Sequence, residues 1–473
     1  MAGQSGGSCD RITGLRAGLN IATPINLAAD VDGDNRVGMA DVLFIFNKLA
    51  GAEMPSEGVV KSSESYDVEP VYSSDDMVRL TADFSEFTID FYHALGNDPS
   101  KAGKNLFFSA YSIENALAMT WAGAKNNTAD EMADTLHLNL PQERFHRTLN
   151  ALNIDINSRD DDPPVKGDAF SLNLVNAVWS RIGYPFLPAY LDVIATNYDA
   201  GVRTLDFAAN PEASRQVINQ WVEDQTHDKI KDLLPSGSIS PSTAVVLTNA
   251  IYFKGSWYKK FDEALTAPGP FTRLDGLDGS VITAQLMHHQ QLRTKYMHDD
   301  GFDAVELPYV SPRFLESEYP QELSMLVIIP RAGQFDAVES SMDRIWIDTI
   351  VSSLSSGTIN LTLPKFEFTC DIKCKDILGG LGMVDAFDPS TADFSEMVSP
   401  VDSLPWIDEI YHKAFVAVDE AGTEAAAATA VVMTDTAMPE IVTISADKPF
   451  IFLIYDHITH TILFMGRVLD PTA

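Results

Sequence analysis

Two spacings of hydrophobic residues alternate along this chain. Apolar side chains recur every three or four positions from Leu80 through Phe84, Phe87 and Phe91 to Leu95, and this spacing predicts an amphipathic helix. Short runs rich in β-branched and aromatic residues predict strands. These runs cover residues 172–179, 244–253, 323–329, 359–368, 415–418, 450–455 and 461–468. Helical patterns dominate the first half, so we expect an α+β fold with segregated, largely antiparallel strands.

A short apolar strand at residues 105–108 runs into a further helical pattern that begins near Ser109 and Ser112. Both serines are candidate N-caps, because a serine hydroxyl accepts a hydrogen bond from a free backbone N–H in the first helical turn. No G-x-S-x-G turn surrounds these or any other serine, and the chain has no zinc-protease motif and no P-loop. The motifs therefore give no support to an enzyme.

Residues 420–440 read EAGTEAAAATAVVMTDTAMPE and contain no aromatic, Lys or Arg side chain. A run of alanines favours a helix, but Gly422 and Pro439 at its two ends disfavour one long helix. The segment is suited to two states, an exposed loop or a strand whose small side chains fit a tight slot. Strongly apolar strands follow it directly. We therefore expect a soft loop on a rigid β scaffold, offered to another molecule.

An aspartate-rich turn dominates residues 1–51. Its carboxylates fall at positions 1, 3, 5 and 12 of one loop, as an EF-type calcium site requires. The expected ligands are Asp30, Asp32, Asp34, the backbone carbonyl of Arg36, and Asp41. The spacing resembles one half of a dockerin repeat, but only one loop is present, so a cohesin-like or cell-surface partner is one interpretation and a calcium-stabilised spacer the other. Residues 52–76 are rich in Ser, Glu, Asp and Pro and predict a flexible acidic linker.

The net charge of −34 comes from 33 basic and 67 acidic residues. Such a charge argues against nucleic acid and anionic membranes as partners, and it suits a microbe in a salt-rich environment. No run of about 18 apolar residues predicts a membrane span. The three cysteines form no disulfide framework or zinc pattern. The first residues have no apolar signal core, although Cys9 is a candidate for a lipid anchor.

Nine stretches, in one order, carry a family resemblance. They include LTNAIYFKGSW (247–257), LPKFEF (363–368) and YHKAFVAVDEAGTEAAAATA (411–430). The others lie at residues 105–132, 172–179, 218–235, 305–309, 376–387 and 447–471. From residue 77 to 473 the chain resembles the serpin family. The resemblance implies an α+β serpin domain with three β-sheets, about nine helices and an exposed reactive-centre loop.

The resemblance also implies a mechanism of irreversible inhibition. A protease attacks the loop, forms an acyl-enzyme, and is trapped when the freed loop inserts as a new strand into the central sheet. An inserting strand must place alternate side chains in a crowded interior, which small residues permit. The implied hinge comprises Glu420, Gly422, Thr423, Glu424, Ala425, Ala426, Ala427, Ala428 and Thr429. Because this hinge carries no bulky side chain, we expect an inhibitor rather than a non-inhibitory binding or scaffold member of the family.

Family spacing places the reactive bond between Thr436 and Ala437, with Met433 or Met438 as alternative registers. The small Thr436 before this bond favours elastase-like or subtilisin-like serine proteases over trypsin-like enzymes as targets. Papain-like cysteine proteases are an alternative class of target. We expect an extracellular or cell-surface monomer that needs no cofactor for inhibition. By the same resemblance, the family's shutter and breach positions, which control opening of the central sheet, are Ser109, Ser112, Asn249, His412 and Trp257.

Overall fold

The computed structural model describes residues 58–158, 171–274, 279–311, 322–399, 404–423 and 441–473. These ranges contain sixteen β-strands and nine α-helices, numbered here in chain order. Residues 1–57, with the predicted calcium loop, and residues 424–440, with the predicted reactive bond, lie outside the described residues.

The central sheet consists of seven of these strands. They are β1 (Gly58–Val60), β3 (Ser171–Arg181), β4 (Val202–Leu205), β5 (Val245–Ser256), β11 (Phe366–Lys373), β12 (Ile407–Val418) and β13 (Gly422–Thr423). Their spatial order is β1-β4-β3-β5-β13-β12-β11, and β5 also pairs directly with β12. The two-residue β13 therefore occupies only one end of the junction between two long strands.

A second network contains the other nine strands. They are β2 (Leu106–Phe108), β6 (Ala267–Thr272), β7 (Val281–His298), β8 (Phe302–Pro308), β9 (Leu323–Pro330), β10 (Ser355–Pro364), β14 (Val442–Ser445), β15 (Phe450–Asp456) and β16 (Thr461–Val468). The order is β14-β10-β7-β8-β9-β15-β16-β2, with β6 also on β7. The resemblance implies two smaller sheets besides the central one. Here they form one continuous network, because the 18-residue β7 pairs with β6 near its start and with β8 at its end.

Nine α-helices pack around these sheets. They are α1 (Ser74–Asn97), α2 (Ala110–Trp121), α3 (Asn126–Thr135), α4 (Gln142–Asn157), α5 (Pro188–Tyr198), α6 (Pro211–Gln225), α7 (Phe335–Ser341), α8 (Arg344–Ser353) and α9 (Cys374–Leu381). Helix α1 follows the predicted pattern, since its apolar stripe from Leu80 to Leu95 is buried. Each fully buried Leu or Phe of this stripe contributes about 2 kcal/mol to folding. The Ser73 side chain caps the helix by accepting a hydrogen bond from the Asp76 N–H.

Helix α2 lies under the central sheet, where it packs against β3 and β5. All twelve of its residues are buried. Ser109 caps it, because its hydroxyl oxygen accepts a hydrogen bond of 3.1 Å from the Ser112 N–H. Of the two predicted N-caps, Ser109 is therefore the cap, whereas the Ser112 hydroxyl bonds to Asn176 and Asn249 of the central sheet.

The predicted flexible linker, residues 52–76, is ordered in its described part. Residues Gly58–Val60 form β1, which pairs antiparallel with β4 at the edge of the central sheet, and α1 already begins at Ser74. Sequence composition missed this strand because it is only three residues long and its surroundings are polar. The described part of this segment thus belongs to the folded domain.

Candidate functional site

The junction between β5 and β12 is the centre of the candidate site. The two strands run parallel and pair from Val245 with Ile407 to Tyr252 with Phe415. Beyond this paired stretch β13 enters between them, with Gly422 opposite Ser256 and Thr423 opposite both Gly255 and Val418. The sheet is therefore closed along most of the junction and open at one end, where the chain leading to residues 424–440 begins.

Two small hinge residues fit this opening tightly. A Cβ atom at Gly422 would overlap the carbonyl oxygen of Gly255 and lie 2.7 Å from Ser256 Cα, so only glycine permits this approach of the two backbones. Thr423 is 1% exposed, and its Oγ1 lies 2.8 Å from the Tyr309 hydroxyl. The first residues of the predicted hinge are thus already seated in the central sheet.

Trp257 lies at the same end of the junction, as the resemblance implies. Its indole stacks on the Tyr309 ring at a centroid distance of 4.8 Å, and its Nε1 donates a 2.9 Å hydrogen bond to the Asp419 carbonyl. The Asp419 carboxylate in turn accepts hydrogen bonds from the N–H groups of Ala421 and Gly422. Burial raises the pKa of Tyr309 well above its usual value, so this hydroxyl stays neutral. These contacts shape the turn that feeds the chain into the sheet.

Glu420 has a basic partner that sequence reasoning did not identify. Lys365 Nζ lies 2.6 Å from Glu420 Oε2, and the Thr266 hydroxyl donates a 2.7 Å hydrogen bond to Oε1. Burial alone would raise the pKa of Glu420, but the hydrogen bonds from Lys365 and Thr266 hold it below its usual value. Lys365 lies within the LPKFEF stretch that carries the family resemblance, but nothing in the sequence indicates that Glu420 is its partner.

The four predicted shutter residues come together beneath the same two strands. Asn249 of β5 donates to Ser112 Oγ at 2.7 Å, and its side-chain oxygen bonds His412 Nδ1 of β12. The other ring nitrogen of His412 accepts a 3.3 Å hydrogen bond from the Ser109 N–H. Burial, and then the charge of Lys101, lower the pKa of His412 to about 3, so the ring is neutral and can accept that bond.

Asn176 of β3 completes this cluster, although it was not among the predicted site residues. Its side-chain oxygen accepts a 2.5 Å hydrogen bond from Asn249 and one of 3.3 Å from the Ser112 hydroxyl. The cluster therefore connects α2 to β3, β5 and β12 through these side chains and the backbone N–H of Ser109. Buried polar groups of this kind are costly to separate unless new partners replace the old ones.

The remaining predicted site residues lie outside the described residues. These are Glu424, Ala425, Ala426, Ala427, Ala428 and Thr429 of the hinge, Thr436 and Ala437 of the reactive bond, and Asp30, Asp32, Asp34, Arg36 and Asp41 of the calcium loop. Within the described part of the chain, none of the helices is both long enough and apolar enough to cross a membrane.

Comparisons with known proteins agree with this geometry. The family model described as "Serpin (serine protease inhibitor)" matches residues 82–471. A serpin-like protein of Thermococcus kodakarensis is 38% identical over 392 residues, which are 82% of this chain and 84% of that protein. A leukocyte elastase inhibitor of Xenopus laevis is 36% identical over 404 residues, 84% of this chain and 100% of that protein. The crystal structure of human thyroxine-binding globulin matches with a TM-score of 0.73 at 27% identity, covering 84% of this chain and 100% of the other.

Proposed function

The chain belongs to the serpin family, whose members are generally protease inhibitors rather than enzymes, and from this premise we propose that it is a suicide-substrate inhibitor. A target protease attacks the reactive-centre loop and becomes acylated. The part of the loop upstream of the cut then inserts between β5 and β12, and the attached protease is displaced and deformed before it can deacylate. The native fold is accordingly a kinetically trapped state that gains stability when it takes up the extra strand.

The observation that carries this proposal is the position of Thr423 between Gly255 and Val418. The hinge threonine already has one strand on each side, so insertion needs only to continue a strand that has begun. The residues that follow alternate as Ala425, Ala427 and Thr429 on the face that would enter the core. Each is small enough to pass the closed junction without leaving a charge or a bulky group buried.

We propose Thr436–Ala437 as the reactive bond and elastase-like or subtilisin-like serine proteases as the targets. The family's spacing from Glu420 supports the register, and the small β-branched Thr436 supports a small specificity pocket in the protease. Papain-like cysteine proteases remain the alternative class of target. A cut after Met433 or Met438 would shift the preference towards enzymes with a larger apolar pocket.

The proposal is tested by mixing the full chain with pancreatic elastase, subtilisin, papain and trypsin, and analysing the products on a denaturing gel. We expect a covalent complex that resists denaturation with elastase or subtilisin and none with trypsin. Cleaved inhibitor beside fully active protease in every mixture would contradict inhibition. Thermal melts before and after loop cleavage then identify a non-inhibitory binding member of the family, whose melting temperature would not rise.

For the leading segment we propose an EF-type calcium loop formed by Asp30, Asp32, Asp34, Asp41 and the carbonyl of Arg36. The spacing of the carboxylates supports it, and a cohesin-like or cell-surface partner outside the cell would give such a segment an anchoring role. Calcium titration of the full chain by calorimetry is expected to show one site that Asp30→Asn with Asp41→Asn removes. Equal heats for the native chain and the double variant would contradict the site.

A further inference from the structure

Residues 58–67 bind first to the outer edge of the central sheet and then to two helices. Strand β1 pairs with β4 from Gly58 opposite Thr204 to Val60 opposite Val202, and the Thr204 hydroxyl donates a 3.1 Å hydrogen bond to the Gly58 carbonyl. We call residues 58–67 the strap. Its first three residues extend the half of the sheet that contains β4, β3 and β5.

The strap then leaves the sheet and crosses two helices. The Ser62 hydroxyl donates to the carboxylate of Asp192 in α5, and the Asp67 N–H donates a 2.9 Å hydrogen bond to the Thr196 carbonyl. On the other side, Asn150 Nδ2 of α4 donates a 2.8 Å hydrogen bond to the Asp67 carbonyl. Residues 68–73 then lead to α1, which begins at Ser74.

The two ends of the strap are attached to different parts of the molecule. Helix α1 packs against β16 of the second network and against α4, and Arg144 of α4 holds Asp76 of α1 with a 3.0 Å hydrogen bond from Nε. The sheet end of the strap is bonded to β4, on the β5 side of the junction. A separation of β5 from β12 that moves β4 relative to α4 and α5 would therefore pull on the strap, which is bonded to β4 and to both helices.

Gly201, directly before β4, shows how closely the strap is seated. A Cβ atom at this position would lie 2.7 Å from Val59 Cγ1, 2.8 Å from the Val60 carbonyl oxygen and 3.1 Å from Lys61 Cβ. All three atoms belong to the strap, and one of them is backbone. We therefore expect an added methyl group at Gly201 to displace the strap, because the three atoms nearest to it all belong to the strap.

We propose that the strap restrains the opening of the central sheet and thereby sets the rate at which the loop inserts. This regulatory role rests on the proposed function, because it concerns the same insertion step. The Lys61–Asp199 ion pair contributes little, since its side chains are 40% and 65% exposed. The backbone pairing with β4 and the bonds of Ser62 and Asp67 provide the restraint.

The experiment uses the full chain and needs no protease. Gly201→Ala displaces the strap, Ser62→Ala removes its bond to Asp192, and Gly380→Ala in α9 is the matched control because nothing lies within 4 Å of its new methyl group. Each protein is held just below its melting temperature, and the appearance of the uncleaved, high-melting inserted form is followed over time.

We expect Gly201→Ala and Ser62→Ala to convert between about twofold and tenfold faster than the native chain, the range that one net hydrogen bond supports. Gly380→Ala should convert at the native rate. Native conversion rates in both strap variants would overturn the proposal. The covalent complex of the native chain with elastase is measured in a separate experiment. If the strap variants convert faster but the native chain forms no complex, the proposed inhibition is refuted and the proposed role of the strap stands.

Discussion

Lys365 Nζ lies 2.6 Å from Glu420 Oε2, across 55 positions of sequence. Lys365 stands at the point where the chain passes from β10 into β11, and therefore from the second network into the central sheet. Glu420 stands two residues before β13. The ion pair thus fixes the base of the loop to the edge of the opening through which the loop would insert.

Replacing Lys365 by alanine is expected to loosen the hinge. Lys365 is 39% exposed, so solvent screening limits the ion pair itself to about 1 kcal/mol, but Glu420 is then left only 10% exposed without its cation. We expect faster loop insertion without cleavage, measured as loss of inhibitory capacity on mild heating. The exchange Lys365→Glu with Glu420→Lys should recover part of the native rate, and no recovery would contradict a direct ion pair.

Thr423 is the position where a charge should be most damaging to inhibition. Its side chain is 1% exposed between two strands, so we expect the carboxylate of Thr423→Glu to be expelled from this site in the native state. Insertion of the loop would then have to bury that carboxylate before the strand could continue. We expect insertion to slow until deacylation wins, so that the variant is cleaved as a substrate and the moles of inhibitor consumed per mole of protease rise at least about tenfold. Thr423→Ser keeps the hydroxyl and should stay near the native ratio; equal ratios for both variants would contradict the seated hinge.

His412 should make loop insertion sensitive to acid. Its folded pKa of about 3 lies below the value near 6.5 of an unfolded histidine, so the unfolded state binds the proton first. Stability from this group is complete above about pH 6.5 and is lost as the pH falls towards 3. His412→Gln is expected to remove this part of the pH dependence of the insertion rate.

His146 is the natural control, because burial likewise lowers its pKa to about 3. Its partner is Tyr198 of α5, away from the junction of β5 and β12. His146→Gln should therefore change the acid dependence of global stability but leave that of the insertion rate in place. If both variants alter the insertion rate equally, the shutter cluster is not what responds to acid.

Glu114 should weaken the fold at alkaline pH. It is 1% exposed in α2, and neither carboxyl oxygen has a hydrogen-bond partner within the described part of the chain. Burial, and then the charge of Asp83, raise its pKa well above 4.5, so its stabilising protonated form is lost as the pH rises through that raised pKa. Glu114→Gln is expected to raise the melting temperature at pH 8 and flatten its decline. Glu143→Gln, at a carboxylate that is 85% exposed, should change neither.

Local patterns predicted those buried strands that are apolar throughout, and they missed the buried β8, which contains Asp303 and Glu306. The predicted strand at residues 461–468 is β16, and residues 323–329 lie within β9. The pattern failed where one strand faces two environments. Residues 407–414 of β12 were missed because Glu409, His412 and Lys413 interrupt the apolar run, although the strand has a neighbour on each side in the central sheet.

Residues 359–368 were predicted as one strand and are two. Pro364 ends β10, since proline has no N–H to continue a ladder, and β11 then pairs in the other sheet. Lys365 lies between them, so its partner depends on how the two sheets meet and not on any local spacing. The contacts of Asn176 and of the strap are equally long-range, which is why pattern and composition alone did not identify them.

We propose that cleavage at Thr436–Ala437 drives loop insertion and traps the protease. The most direct test is the mass of the peptide released when the full chain forms its covalent complex with elastase or subtilisin. We predict a peptide that begins at Ala437, released in equal amount to the complex that resists denaturation. Release of that peptide with full recovery of protease activity and no complex would contradict the account.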